Sequence, residues 1–194
     1  RECKVYSVIL HYNTPASEIA AMNPKGIILS GGPSSVYSRK APLPDKKIFE
    51  LGIPILGICF GLQVMAKFLN GKVERGQKRE YGKGTLSVKN SRCRLFAGLP
   101  KQLQVWNSHG DKLTELPQGF KTVATTENSK FAAIENAKSR YFGLQFHPEV
   151  VHTPKGKTII SNFVQNICGC GRKWTMRNYV VQAVEQIREQ VGKE

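Results

Sequence analysis

The chain is short of acid. It carries 14 Asp and Glu against 29 Lys and Arg over 194 residues, a formal net charge of +15. Long apolar runs are also missing: nothing approaches the ~20 residues that cross a bilayer, and Arg1-Glu2-Cys3-Lys4 opens no hydrophobic leader. Neither a membrane span nor a secretory signal is expected. The five cysteines, at 3, 59, 93, 168 and 170, are odd in number and lack paired C-x-x-C spacing, which argues against a disulfide framework and against a zinc site. A reducing cytoplasm suits such a set, and no metal is expected. The basic residues are not interleaved with stacking aromatics: Lys72, Arg75, Lys78, Arg79 and Lys83 lie close together, while Arg92, Arg94, Arg172, Lys173 and Arg177 lie elsewhere. That dispersion suits a solvated face or contact with an acidic neighbouring domain better than a nucleic-acid groove. No Gly-rich phosphate loop of the pyrophosphatase type occurs, so no cofactor is expected in the chain itself.

What is present centres on residues 53–63. An apolar run of strand type, Ile53 to Ile58, stops at Cys59, with Gly57 and Gly61 two residues to either side. Leu62, Met65, Ala66 and Leu69 then fall at i, i+3, i+4 and i+7, and Asn70-Gly71 supplies a stop. The pattern reads strand, sharp turn, helix. Cys59 is placed at the helix N-terminus, where unpaired N–H groups and the dipole favour negative charge on sulfur. Glycines at minus two and plus two allow a tight turn, as in a nucleophile elbow. Taken alone, the pattern suits a buried core cysteine equally well.

Arg140 to Phe146 alternates like a half-buried strand and runs into His147-Pro148-Glu149. Pro148 keeps His147 extended and fixes its own φ, so a base and a carboxylate two residues on are held in a defined geometry. With the cysteine turn also present, Cys59, His147 and Glu149 make a candidate nucleophile, base and orienting carboxylate.

The rest of the chain reads as follows. A strand is expected over Val5 to Leu10, a short helix opening at Thr14 to Glu18, and a strand over Gly26 to Ser30. That strand enters Gly31-Gly32-Pro33, whose N–H groups could serve an anion or could simply turn the chain. A helix is expected over Pro42 to Gly52. This alternation predicts an α/β fold with an open, mostly parallel central sheet flanked by helices, with ligands bound beyond the carboxyl ends of the strands. Strands over Gly84 to Val88, Leu103 to Asn107, Lys121 to Thr126, Phe131 to Glu135 and Tyr141 to Phe146 read as antiparallel additions. Trp106 to Asp111 is expected to end its strand in a polar cluster. Gly156 to Ile167 reads as a helix burying Ile159, Ile160, Phe163, Val164 and Ile167. After the break at Cys168 to Gly171, Trp174 to Val191 reads as another amphipathic helix through Val180, Ala183, Val184, Ile187 and Val191.

Gly57 to Gln63, Ser30-Gly31-Gly32-Pro33 and Phe146-His147-Pro148-Glu149 together resemble the class I glutamine amidotransferases, whose flavodoxin-like sheet agrees with the pattern above. Within that group Arg79-Glu80-Tyr81-Gly82, Ser108-His109-Gly110-Asp111 and the tail from Cys168 to Gly192 are similar to the glutaminase domains of GMP synthetases. The resemblance implies hydrolysis of glutamine through a thioester on Cys59, with ammonia passed to a synthetase domain that aminates XMP using ATP and Mg. It implies oxyanion donors at the N–H groups of Gly32 and Phe60, and glutamine binding by Gly31, Gln63, Ser108, His109 and Asp111. For His109 a structural loop histidine is the other reading. Residues 1–167 would be the glutaminase domain, its first strand and helix expected upstream of Val5. Residues 168–194 would be a linker and first helix leading to an ATP-pyrophosphatase domain, through which a homodimer is expected. The same triad could serve anthranilate or CTP synthesis, and a non-catalytic basic binding module is the reading from another class.

Overall fold

Ile55–Ile58 is buried at all four positions and forms strand β2 of the sheet. In the computed structural model, residues 2–172, 174–176, 180, 184, 187, 188, 191 and 192 are described, with the backbone alone for 77–79. Strand β1 (Ile27–Leu29) lies parallel to β2, and β2 lies parallel to β7 (Tyr141–Leu144). Beyond β7 the order is β6 (Ala133–Asn136), β5 (Lys121–Thr125), β3 (Lys72–Val88) and β4 (Gln102–Glu115), each antiparallel to its neighbour. The α/β architecture is as expected. Its balance differs, because parallel pairing is confined to β1, β2 and β7.

A strand buried on both faces needs a core on each side, and β2 divides its side chains accordingly. Ile55 joins a core with Leu62, Val64 and Met65 of helix α2 (Phe60–Phe68), while Leu56 and Ile58 join another with Phe142, Ile159 and Phe163. Leu62 and Met65 are fully buried, contributing about 1.5–3 kcal/mol each. On the second face α3 (Gly156–Ser161) continues into a π-helical turn, Asn162–Ile167, with Ile159, Phe163 and Ile167 buried and Ile160 and Val164 half-buried.

Several local expectations fail. Val5 to Leu10 forms no strand, since no described strand offers it a ladder, and Ile9 is 98% exposed. The stretch from Pro42 to Gly52 yields only a 3-10 turn, Lys46–Glu50, capped by Asp45, whose two carboxylate oxygens accept from Lys47 N and, 3.0 Å away, from Ala16 N at the start of α1 (Ala16–Ala21). Trp106 to Asp111 does not end a strand: β4 runs through it to Glu115, paired with a still longer β3 that a register shift between Arg75 and Glu80 interrupts. The expected helix from Trp174 to Val191 falls largely outside the described residues.

Candidate active site

Strands β1, β2 and β7 point the same way, so their carboxyl ends deliver Gly31-Gly32, Cys59 and His147 to one edge of the sheet. Cys59 caps α2 with φ +50° and ψ −104°. A non-glycine residue rarely adopts a positive φ, and strain of this kind collects at functional sites. The turn is held from both directions: Cys59 N–H donates to Leu144 O at 2.7 Å, and Gln63 N–H donates to Cys59 O at 3.2 Å. The flanking glycines serve a different end from the one the sequence suggests. Neither has a positive φ; they leave room for backbone. A Cβ on Gly57 would stand 2.6 Å from Gly61 O, and one on Gly61 would stand 2.1 Å from Leu29 O. Gly31 likewise packs against the centre: a Cβ there would lie 2.9 Å from His147 Cε1 and 3.6 Å from Cys59 Cβ.

His147 Nδ1 lies 2.7 Å from Glu149 Oε1. The imidazole is raised to about 10, first by the neighbouring Cys59 sulfur and then by Glu149, against the opposing effect of burial. Burial pushes Glu149 upward too, but its bond with His147 prevails and holds the carboxyl below its usual range. The buried Nε2, which Glu149 does not engage, has no well-aligned hydrogen-bond partner among the described residues. A nitrogen placed in that way is available for proton transfer.

Thr153 is a supporting residue that the sequence did not signal. Its hydroxyl donates to His147 O at 2.6 Å and accepts from Trp106 N–H at 3.0 Å, while His147 N–H donates to Trp106 O at 2.9 Å. The loop thereby ties the base to β4. Gly156 lets the loop fold back, since a Cβ there would overlap Pro148 O.

A cavity of about 770 Å³ opens over the nucleophile, lined by Gly32, Cys59, Gln63, Ser108, His109 and Asp111 together with Glu74, Arg75 and Tyr81 of β3, which sequence reasoning missed. Phe60 N–H belongs to the first turn of α2, where no intrahelical acceptor exists, and a Cβ on Gly32 would come within 3.7 Å of the Phe60 ring. Ser108 contributes its carbonyl, 3.7 Å from Cys59 Sγ. Gln63 Nε2 donates to Asp111 O at 3.0 Å. His109 departs from its expected role. Its side chain is 3% exposed, with Nδ1 3.1 Å from Asp111 O and Nε2 at ion-pair distance, 2.9 Å, from Glu80 Oε2 though without a well-aligned hydrogen bond there, so both nitrogens face protein atoms. Among the described residues no group of three or more His, Cys, Asp or Glu is disposed to hold a metal ion, and no helix is long and apolar enough to cross a membrane.

A strained cysteine at a strand-to-helix turn, a carboxylate-held histidine and a glycine turn meeting at one sheet edge, with a cavity over the cysteine, define a thiol amidohydrolase of the glutamine amidotransferase type. The family model for class-I glutamine amidotransferases matches residues 1–167, and the chain belongs to that family. It is 50% identical over 192 residues to the GMP synthase [glutamine-hydrolyzing] of Aquifex aeolicus, and 50% identical to that of Staphylococcus epidermidis. These matches take in 99% of the chain but 38% and 37% of those proteins. Among solved structures it is similar to a GMP synthase component from Thermoplasma acidophilum, with TM-score 0.75 and 31% identity, covering 84% of this chain and 80% of that one. A Thermotoga maritima glutamine amidotransferase shares the fold, with TM-score 0.63 and 24% identity over 74% of this chain and 78% of that one.

Proposed function

We propose that this chain hydrolyses glutamine to glutamate and ammonia, as the glutaminase part of a GMP synthase. The observation that carries the reading is the convergence of Cys59, His147-Glu149 and Gly31-Gly32 from three parallel strand ends at one edge of the sheet, with a cavity open over Cys59 and Gly32. Cys59 Sγ attacks the side-chain carboxamide carbon, and the oxygen that becomes negative is received by the N–H groups of Gly32 and Phe60. His147 passes its proton to the departing nitrogen, the C–N bond breaks and ammonia leaves a thioester. Water, deprotonated by His147, then attacks the thioester carbon and expels the sulfur, giving glutamate. Glu149 keeps Nδ1 protonated and offsets the charge on the ring.

Gln63, Ser108 and Asp111 line the cavity in which the amino-acid end of glutamine would sit, and Gly31 packs beside it against His147. Ammonia would pass to an ATP- and Mg-dependent synthetase domain of the same polypeptide that aminates XMP, in a cytoplasmic homodimer assembled through that domain. Support for this part of the reading comes from the names of the relatives, of whose length the chain spans about two fifths.

The test is intact mass after incubation with diazo-oxo-norleucine, a glutamine-analogue electrophile. One adduct is expected, prevented by glutamine and missing from Cys59→Ala. Labelling that glutamine does not prevent, or that persists without Cys59, would overturn the glutaminase assignment. Adding a GMP synthetase domain with ATP and XMP should speed glutamine hydrolysis; an unchanged rate would count against that acceptor.

A further inference from the structure

Behind the cavity wall a line of polar contacts runs from β3 to the nucleophile helix. Thr126 donates its hydroxyl to Glu80, 2.9 Å from Oε1 and 3.3 Å from Oε2, and accepts in turn from Ser129 N–H at 3.1 Å. Glu80 meets His109 Nε2, the opposite ring nitrogen meets Asp111 O, and that same carbonyl receives Gln63 Nε2. The Glu80 and His109 side chains are 8% and 3% exposed. Burial alone would raise the Glu80 carboxyl, yet His109 and Thr126 hold it below its usual range.

A backbone carbonyl can only accept, so His109 Nδ1 must present its proton to Asp111 O. The carboxylate 2.9 Å from its other nitrogen holds the ring in that orientation, because a buried polar nitrogen left without a counterpart costs the desolvation of that group. The same logic fixes Gln63. With Nε2 committed to Asp111 O, the amide cannot flip, and Oε1 remains as the group it offers to the cavity.

We propose that Glu80 is a positioning residue for amino-acid recognition in this site: through His109 it fixes the Asp111 carbonyl and so decides which end of the Gln63 amide meets the substrate. Glu80 touches neither substrate nor reacting atoms. The inference rests on the glutaminase reading above and assigns a role there to a buried side chain of β3 that sits behind His109.

The experiment compares Glu80→Gln with the unaltered 194-residue chain, measuring Cys59 modification over a range of diazo-oxo-norleucine concentrations and, separately, by iodoacetamide. The first reagent needs the amino-acid site; the second needs only an accessible sulfur. Glutamine is nearly isosteric with Glu80 but carries no charge for His109. Its half-saturating concentration for diazo-oxo-norleucine should rise about tenfold, with the maximal rate and the iodoacetamide rate within about twofold of the unaltered chain. Glu80→Asp, which restores the charge, should recover much of the loss. Thr126→Val, which leaves the Glu80 and His109 contact in place, should shift half-saturation by less than about threefold. An unchanged half-saturation in folded Glu80→Gln overturns the proposal, as does an equal slowing with both reagents, which would mean general loosening. If Glu80→Gln does not fold, a shift of more than about threefold in Thr126→Val has the same force. Should the unaltered chain show no glutamine-protected labelling, the glutaminase reading itself fails and takes this inference with it.

Discussion

At the scale of single residues, the site depends on a cysteine and on a histidine whose basicity that cysteine raises. Cys59→Ser keeps the volume at the turn and should keep the fold, while glutamine hydrolysis falls by more than about 10³-fold because the soft nucleophile is gone. His147→Ala should cost about 10³- to 10⁴-fold, and Glu149→Ala less, about 10- to 10²-fold, since the base survives without its guide; steady-state rates settle the ranking. The titration of His147 gives a separate check. Its folded value of about 10 lies above the ordinary 6.5, so the native state binds a proton that the unfolded chain has lost. The stability linked to that proton is complete below pH 6.5 and disappears as pH rises through about 10. Removing the largest cause by Cys59→Ala should bring the imidazole resonance midpoint down toward 6.5, leaving the remainder to Glu149. Denaturant midpoints of that variant should also fall less between about pH 6 and about pH 9 than those of the unaltered chain.

At the scale of elements, α2 can sit as close as it does only because two backbones touch where side chains would normally intervene. Gly61→Ala would force a Cβ into Leu29 O, a contact that cannot be relieved by a rotamer change, so a loss of about 3 kcal/mol in unfolding free energy is expected, with α2 displaced from the cysteine. The positions of these glycines were plain in the sequence, but their reason was not, because a turn and a close approach leave the same residue in the chain. Strand β2 and helix α2 were legible from apolar spacing, and His147-Pro148-Glu149 from its neighbours. The length of β3 was not, since the sequence from Glu74 to Glu80 holds no apolar side chain and offers no alternation to read. Its inward Glu80 shows the same limit: a buried carboxylate satisfied by His109 and Thr126 is indistinguishable in sequence from a solvated one. Val5 to Leu10 had the apolar alternation of a strand but joins no described ladder, which sequence periodicity cannot report.

At the scale of the whole molecule, the cysteines separate by environment. Cys93 is pushed up to about 12 by burial and then by the nearby Glu135, and Cys168 to about 12 by burial and then by Cys170. Both should resist iodoacetamide at about pH 8 in the folded chain and react once denaturant is added, as peptide mapping would show; modification of native Cys93 would contradict the packing described. A last consequence follows from the 2.7 Å bond between Cys59 N–H and Leu144 O, which ties the turn to a strand formed from a distant part of the sequence. During synthesis the nucleophile leaves the ribosome long before Leu144, His147 and Glu149 exist. Until β7 slots in beside β2 the thiol has no base and its strained turn lacks one of its anchors, so a half-made chain carries an unarmed cysteine. Catalytic competence is thus gained only once the last strand of this sheet is in place, and a nascent or damaged copy of this domain would not squander glutamine.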